Sequence, residues 1–267
     1  VYVIGCLSQR YGAELQEEIP EVDAFFGKFD WKGVLERMGE HFDERIRNQR
    51  VLTTPDHYAY LKISEGCNRT CSYCAIPIMT GKHKSRDFEE LLEECRALVK
   101  GGVKEILVVA QDLTYYGIDL YGKNRLAELI GRIADIEGLE WIKLHYAYPA
   151  GFPLELLTVM RERPNVCKYL DIALQHCSDH MLQQMRRGIS KKQTIELIRK
   201  IRQEVPGIFI RTTLMTGHPG ETAEDFEELC EFVREMRFER LGVFPYSHED
   251  DTWCDRHYPV SYTHLRA

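Results

Sequence analysis

Between residues 58 and 247 the chain repeats one unit six times: a short apolar run followed by an amphipathic stretch. YAYLKIS (58–64), KEILVVA (104–110), EWIKLHY (140–146), KYLDIAL (168–174), IFIRTTLM (208–215) and RLGVFPYS (240–247) read as strands. They read as continuous apolar runs rather than alternating ones, and such strands belong in a parallel sheet covered by helices. The intervening stretches predict helices over 87–102, 124–136, from near Pro153, around 178–186, over 190–204 and over 222–236. Asp87 suits the cap of the first and Gly101 its stop, and proline is favoured in a first turn. Six units are two short of a closed eight-stranded barrel, so the expected fold is α/β, a partial (β/α)6 barrel of TIM-like type. In parallel barrels the chemistry gathers at the C-terminal ends of the strands.

The first strand runs directly into ISEGCNRTCSYCAIP, which spaces Cys67, Cys71 and Cys74 as C-x3-C-x2-C. A structural zinc site takes four closed ligands, typically as two separated C-x2-C pairs, and a conventional ferredoxin cluster also takes four cysteines. Three thiols on one loop suit a 4Fe–4S cube with one iron left open to a non-protein ligand. Zinc with a distant fourth ligand, or a chance grouping of small buried hydrophobes, are the other readings. Nine cysteines without a secretory leader predict a reducing, cytoplasmic setting and metal chemistry rather than disulfides. No apolar run approaches the roughly eighteen residues that span a bilayer, so no membrane partner is expected.

The net charge of −7 lacks the basic footprint that phosphate neutralisation demands of a nucleic-acid enzyme. Acid concentrates at Asp87, Glu89, Glu90, Glu93 and Glu94, and again at Glu224, Asp225, Glu227, Glu228 and Glu231. These are solvated helix faces, and they lean toward a basic protein partner over naked RNA. Residues 1–57 differ from the rest. YVIGCLS reads as a strand ending at Cys6, SQRYGAELQEEIP as a helix stopped by Pro20, VDAFFG as a second strand and 31–40 as a helix. HFDERIRNQR (41–50) reads as a linker. The expected division is 1–50, the remnant of a small α/β domain that begins upstream of Val1; 51–256, the barrel; and 257–267, a tail to be set aside.

A C-x3-C-x2-C loop after the first strand of a six-unit barrel resembles the radical S-adenosylmethionine superfamily, and Tyr73 before the third cysteine matches its pattern. VIGCLSQRY, EGCNRTCSYCAIPIMTGKHKSR, VVAQDLTYYGIDLYG, LQHCSDHMLQQMRRG, RTTLMTGHPGET and VFPYSHEDDT are similar, in order, to the methylthiotransferase family within it. KISEGCNR, the RTT at 211–213 and YSHED resemble its ribosomal-protein branch, the RimO type. The resemblance covers residues 1–256. It implies a transfer of a methylthio group to the β-carbon of an aspartate in small-subunit ribosomal protein S-twelve, using S-adenosylmethionine and two 4Fe–4S clusters. It also implies an electron donor such as flavodoxin or ferredoxin. The alternative within the family is a tRNA methylthiotransferase acting on a modified adenosine beside the anticodon. A zinc-stabilised binding module without catalysis is the rival from another class.

By the same resemblance, Cys67, Cys71 and Cys74 hold the radical-forming cluster. Cys6 is one of three ligands of a second, auxiliary cluster, although a lone cysteine of this kind is more often structural. Tyr73, Gln175, Gly217, Gly220 and Glu221 are candidate contacts to S-adenosylmethionine. A tight turn accounts for the last three equally well. His176 stands as either a site residue or a satisfied core histidine, and Glu105 is a weaker candidate. Cys95, Cys167, Cys177, Cys230 and Cys254 show no ligand spacing. The chain departs from the family pattern in Thr80, where arginine is common, in Asp251, where glycine is usual, and in lacking a C-terminal TRAM domain. The final SYTHLRA matches nothing in the family.

Overall fold

The computed structural model describes residues 1–28, 30–41, 43 and 50–258. The chain opens with β1 (Tyr2–Ile4), α1 (Cys6–Glu18), β2 (Ala24–Phe26) and α2 (Trp31–Arg37). It continues through β3 (Tyr58–Lys62), β4 (Ser64–Glu65), α3 (Ile76–Thr80), β5 (Lys84–Ser85), α4 (Phe88–Lys100) and β6 (Glu105–Val109). Then come α5 (Ile118–Tyr121), α6 (Leu126–Ala134), β7 (Trp141–Ala147), α7 (Glu155–Glu162), β8 (Val166–Gln175) and α8 (Asp179–Gln184). The last elements are α9 (Lys191–Glu204), β9 (Phe209–Thr216), α10 (Ala223–Met236), β10 (Arg240–Pro245) and α11 (Trp253–His257).

Six strands form one sheet in the order β10-β9-β8-β7-β6-β3, parallel at every pairing. The sheet does not close, because β3 and β10 are both edges. Each strand presents one face to the helices. Ala59 and Leu61 of β3, Ile106 and Val108 of β6, and Ile142 and Leu144 of β7 are buried there with Leu91, Leu92 and Cys95 of α4 and Leu129 and Ile133 of α6. Burying side chains of this size contributes roughly 1.5–3 kcal/mol each, which is what drives the helices onto the sheet.

The other face overturns one expectation. Continuously apolar strands are the expectation, yet burial alternates along β3, β7 and β9, and only β6 and β8 are buried at three successive positions, the middle one in β8 being Asp171. A closed barrel fills its interior with layers of aliphatic side chains. An open six-stranded arc leaves that face wet, so it carries polar residues tied in pairs. Lys143 meets Glu105 at 3.6 Å, Arg211 meets Asp171 at 2.7 Å, and His145 lies 3.6 Å from the same carboxylate.

The helix starts follow side-chain capping, in which a short polar group accepts from otherwise orphaned backbone N–H groups. Asp87 accepts from the N–H of Glu89 and Glu90 at 2.9 and 3.2 Å. Ser190 with Gln193, and Thr222 with Asp225, form reciprocal capping boxes on α9 and α10. Pro153 stands just ahead of α7 and accepts the Leu156 N–H at 3.1 Å.

In the N-terminal unit β1 pairs with β2 in parallel. Cys6 does not end a strand, as the sequence suggested. Gly5, at φ 148°, breaks the strand after Ile4 and its carbonyl accepts the Gln9 N–H at 2.9 Å, so Cys6 opens α1. Of the expected linker, 42 and 44–49 lie outside the described residues, as does 259–267 of the expected tail. His257 and Tyr258 do not separate from the barrel. His257 ends α11, and the Tyr258 hydroxyl donates to Gln184 at 2.9 Å.

Asp225 does two jobs. Besides capping α10, it accepts from the Ser178 hydroxyl and lies 2.8 Å from His180 Nδ1, tying α8 to α10. Its burial opposes ionisation, but the hydrogen bonds from Ser178, His180 and Thr222 outweigh that and hold the carboxyl well below the usual range. A depressed carboxyl contributes stability that is present above its unfolded value of about 3.9 and is lost as pH falls through the folded value. Asp225→Ala is expected to lower stability by about 1–2 kcal/mol in urea unfolding at neutral pH. The difference from wild type should shrink below about pH 4.

Candidate metal centre

The cysteine loop is closed at its base by β4 and β5, which pair antiparallel with Ser64 opposite Ser85 and Glu65 opposite Lys84. Gly66 sits where the two arms pass. Its φ of +78° is left-handed, and a Cβ there would lie 2.2 Å from the Lys82 carbonyl oxygen, so no other residue fits. Beyond it the Cys67 N–H donates to Gly81 at 3.2 Å, and Asn68 Oδ1 accepts the His83 N–H at 3.0 Å. The middle of the loop is held from elsewhere in the fold. The Ser72 N–H donates to Met185 at 3.2 Å, and the Ser72 carbonyl accepts the Cys254 N–H at 2.8 Å.

Behind Ser72 stands His218, almost wholly buried. Its Nδ1 faces the Pro219 carbonyl at 2.9 Å and must donate there, leaving Nε2 as an acceptor. Nε2 takes the Ser72 hydroxyl at 3.1 Å and the Cys254 thiol at 3.2 Å. Burial lowers the pKa of His218, in keeping with a neutral ring. Cys254, which sequence spacing passed over, therefore braces the loop without belonging to the three-thiol set.

Each of the three loop sulfurs has a donor. The Arg69 N–H points at Cys67 Sγ at 3.4 Å, Arg187 Nη1 lies 3.2 Å from Cys71 Sγ, and the Ile76 N–H serves Cys74. Burial pushes the Cys74 thiol up to about 11, and the charges of Cys71 and Cys67 add to the rise. Burial also raises Cys67. Thiols this reluctant to ionise are deprotonated by a metal, whose charge reverses the local preference. Zinc–sulfur bonds of about 2.3 Å bring tetrahedral thiolates within about 4 Å of one another. Among the described residues, only His248, Asp250 and Asp255 bring three potential ligand atoms to within 4.8 Å of one another. The loop thiols thus feel each other electrostatically but stand farther apart than a single ion requires. The set fits a larger thiolate-bound iron–sulfur group.

Around the loop lies a stack that sequence reasoning missed. Arg69 donates from Nε to Asp112 at 2.8 Å and lies 4.0 Å from the Tyr148 ring centroid. Arg187 lies 4.2 Å from the same centroid, and the Tyr148 hydroxyl donates to the Arg187 carbonyl at 2.8 Å. Tyr73 is part of this assembly, with its hydroxyl 3.3 Å from Arg187 Nη1. The signals were present as QDLT and MRRG, but nothing local says that residues 69, 112, 148 and 187 meet.

The mouth formed by the strand ends gathers most of the other candidates. Gln175 ends β8 at φ +73° and Tyr146, near the end of β7, has φ +67°. Both adjoin register shifts in the sheet. Left-handed backbone at non-glycine residues costs energy and concentrates at functional sites. Gly217 and Gly220, at φ +74° and +91°, shape the turn after β9. Glu221 is engaged within that turn. One carboxylate oxygen takes the Gly217 N–H, and the other lies 3.0 Å from His176 Nε2. His176 Nδ1 accepts the Ser178 N–H at 3.1 Å, so this fully buried histidine is satisfied at both nitrogens and acts as a brace. Glu105 lies at the opposite end of the sheet, paired with Lys143, and does not join the cysteines.

Cys6 reaches the same mouth from the N-terminal unit. The Lys62 ammonium at the end of β3 senses it, although burial and the neighbouring Lys28 together pull that ammonium down to about 8. Lys28 and Lys62 converge on the Glu65 carboxylate, the former at 2.8 Å, and Gln111 Nε2 joins them at 2.5 Å. Arg10 of α1 reaches Glu249 at 2.9 Å and the Asp250 carbonyl. The N-terminal unit is thus clamped over the end of the barrel that carries the three-cysteine loop.

Comparison with known proteins agrees with this geometry. The chain is 66% identical over 258 residues to ribosomal protein uS12 methylthiotransferase RimO of Porphyromonas gingivalis, an overlap of 97% of this chain and 59% of that protein. It is 64% identical over 261 residues to the protein of the same name from Bacteroides fragilis, covering 98% of this chain and 60% of that one. The chain therefore spans about three-fifths of the length of the curated relatives it matches. Among solved structures, the cobalamin-dependent S-adenosylmethionine radical enzyme OxsB superposes with a TM-score of 0.64 at 13% identity, over 96% of this chain and 41% of that one. Coproporphyrinogen III oxidase (HemN) from Escherichia coli gives 0.55 at 20% identity, over 81% and 50%. Similarity at that level speaks to fold alone. The family model of the radical SAM superfamily matches residues 61–233, from the end of β3 into α10, and the chain belongs to that superfamily.

Proposed function

We propose that this chain is the radical-forming part of a methylthiotransferase that modifies the β-carbon of an aspartate in small-subunit ribosomal protein uS12. The observation that carries this reading is the identity of 66% with a protein bearing that name, sustained over 97% of the chain. The site adds physical support. An aspartate β C–H has no proton acidic enough for a base to remove usefully, so a radical route is the available chemistry. A 4Fe–4S cluster at Cys67, Cys71 and Cys74, when bound, supplies the single electron that splits S-adenosylmethionine.

The chain's own residues account for the rest. The three thiols, each with its N–H donor, would hold that group at the loop. Tyr73, Gln175, Gly217, Gly220 and Glu221 are proposed to shape the S-adenosylmethionine site. For Gln175 and the two glycines the contribution is backbone form, because left-handed turns bring the chain close to a ligand. Glu221 sets the turn through Gly217 and His176. Cys6, facing the same mouth, is proposed as one ligand of the auxiliary cluster that carries the sulfur. The protein substrate fits the charge of −7, since an acidic surface attracts a basic ribosomal protein and repels RNA. The electron donor is proposed to be a small redox protein of the flavodoxin or ferredoxin class. No helix among the described residues is long and apolar enough to cross a membrane.

Two experiments test this. Mass spectrometry of uS12 and of tRNA from a strain lacking the gene should show the aspartate unmodified and the methylthio-adenosine intact. The reverse pattern would assign the enzyme to tRNA. Separately, anaerobic reconstitution with iron and sulfide should load the wild-type protein. Cys67→Ala, Cys71→Ala and Cys74→Ala should each lose the iron bound at the loop, whereas Cys95→Ala and Cys167→Ala keep it. Stoichiometric zinc in place of iron would end the radical reading.

A further inference from the structure

Of the three loop thiols, Cys71 alone has a buried cation behind it. Arg187 is 3% exposed, and its Nη1 lies 3.2 Å from Cys71 Sγ. Its position is fixed on every side. Nη2 donates to the Ala173 carbonyl, the Tyr73 hydroxyl is 3.3 Å from Nη1, and the guanidinium lies over the Tyr148 ring, 4.2 Å from its centroid. Arg69, itself held by Asp112, lies against the same ring, and so restrains Tyr148.

The charge around Arg187 is incomplete. A guanidinium does not give up its proton, and burying one without an anion is costly. Among the described residues Arg187 meets no carboxylate. The side chains it meets are Cys71, Tyr73 and Tyr148, two of which are phenols. Its Nε is buried with no hydrogen-bond partner. On the Cys71 side a thiolate bonded to iron is anionic and a free thiol is not, so a bound cluster would place negative charge beside Nη1.

We propose that Arg187 is a positioning residue that orients the Cys71 thiolate and raises the reduction potential of the cluster bound at Cys67, Cys71 and Cys74. The proposal rests on the reading of that loop as a 4Fe–4S site. One-electron reduction places one further negative charge on the cluster, with the electron supplied by a reductant in solution. A fixed positive charge beside one ligand stabilises the reduced form more than the oxidised one. Being buried, it is little screened by salt. Hydrogen bonds to ligand sulfur act in the same direction.

The test is a potentiometric titration of the anaerobically reconstituted protein with dithionite and mediators, followed by electron paramagnetic resonance of the reduced cluster. At matched iron content, Arg187→Gln should lower the reduced-to-oxidised ratio at a fixed potential by about tenfold, which is about 59 mV for a one-electron couple. Arg187→Lys keeps the charge and should move it less. A Gln variant that titrates with wild type, or a Lys variant that moves as far as Gln, overturns the proposal. If Arg187→Gln takes up no iron, pulsed resonance on wild-type protein carrying nitrogen-15 guanidino arginine decides instead. A nitrogen hyperfine coupling to the reduced cluster that vanishes in Arg187→Lys supports the proposal, and its absence from wild type refutes it. Wild-type protein that takes up no iron removes the cluster reading, and this inference with it.

Discussion

The crossing at Gly66 is the point on which the metal centre depends. Two chain segments pass there so closely that a methyl group would collide with the Lys82 carbonyl, and the short β4–β5 ladder locks them together. Closing a loop of about twenty residues costs entropy, and that cost falls on the fold rather than on the metal when the base is already tied. Everything beyond the crossing is then a matter of bracing. Ser72 is held from α8 and α11, Asn68 from His83, and α3 finishes the loop as a rigid end. A preorganised thiolate set binds its cluster without first paying for its own order.

The barrel was legible because its signals are local. Apolar runs of strand length, caps such as Asp87, and the cysteine spacing each declare themselves within a few residues. What was not legible came from long-range convergence. Arg69 lies 43 positions from Asp112, and Arg187 lies 116 from Cys71. No periodicity connects them, and only the C-terminal ends of parallel strands bring them together. Cys6 shows the complementary failure. Its neighbours looked strand-like, but Gly5 ended the strand at Ile4, two residues early, and Cys6 became a helix start. His176 illustrates a case in which two readings were open and geometry separated them, since Nε2 is occupied by Glu221 and Nδ1 by the Ser178 N–H.

The polar inner face follows from the missing fourth quarter of the barrel. With no strands to close it, Lys143 and Arg211 stay partly in water and pair with Glu105 and the buried Asp171 instead of being replaced by aliphatic layers. This is the reason the strands looked more uniformly apolar on paper than in space: aromatic residues such as Tyr60 and Phe209 add to the hydrophobic count yet stand partly exposed. The outer face alone carries the core.

An arc has a side, and a tube does not. A closed parallel barrel admits a reactant along its axis only, which suits a free metabolite small enough to pass between the loops. In the six-stranded sheet described above, the edge at β10 presents Leu241, Val243 and Phe244 to solvent. A peptide loop anchored at both ends in a folded body cannot be threaded through a ring, but it can be laid across a trough and lifted off again. Among the described residues, the gap between the first and last strands therefore gives the cysteine end of the sheet a lateral opening as well as an axial one.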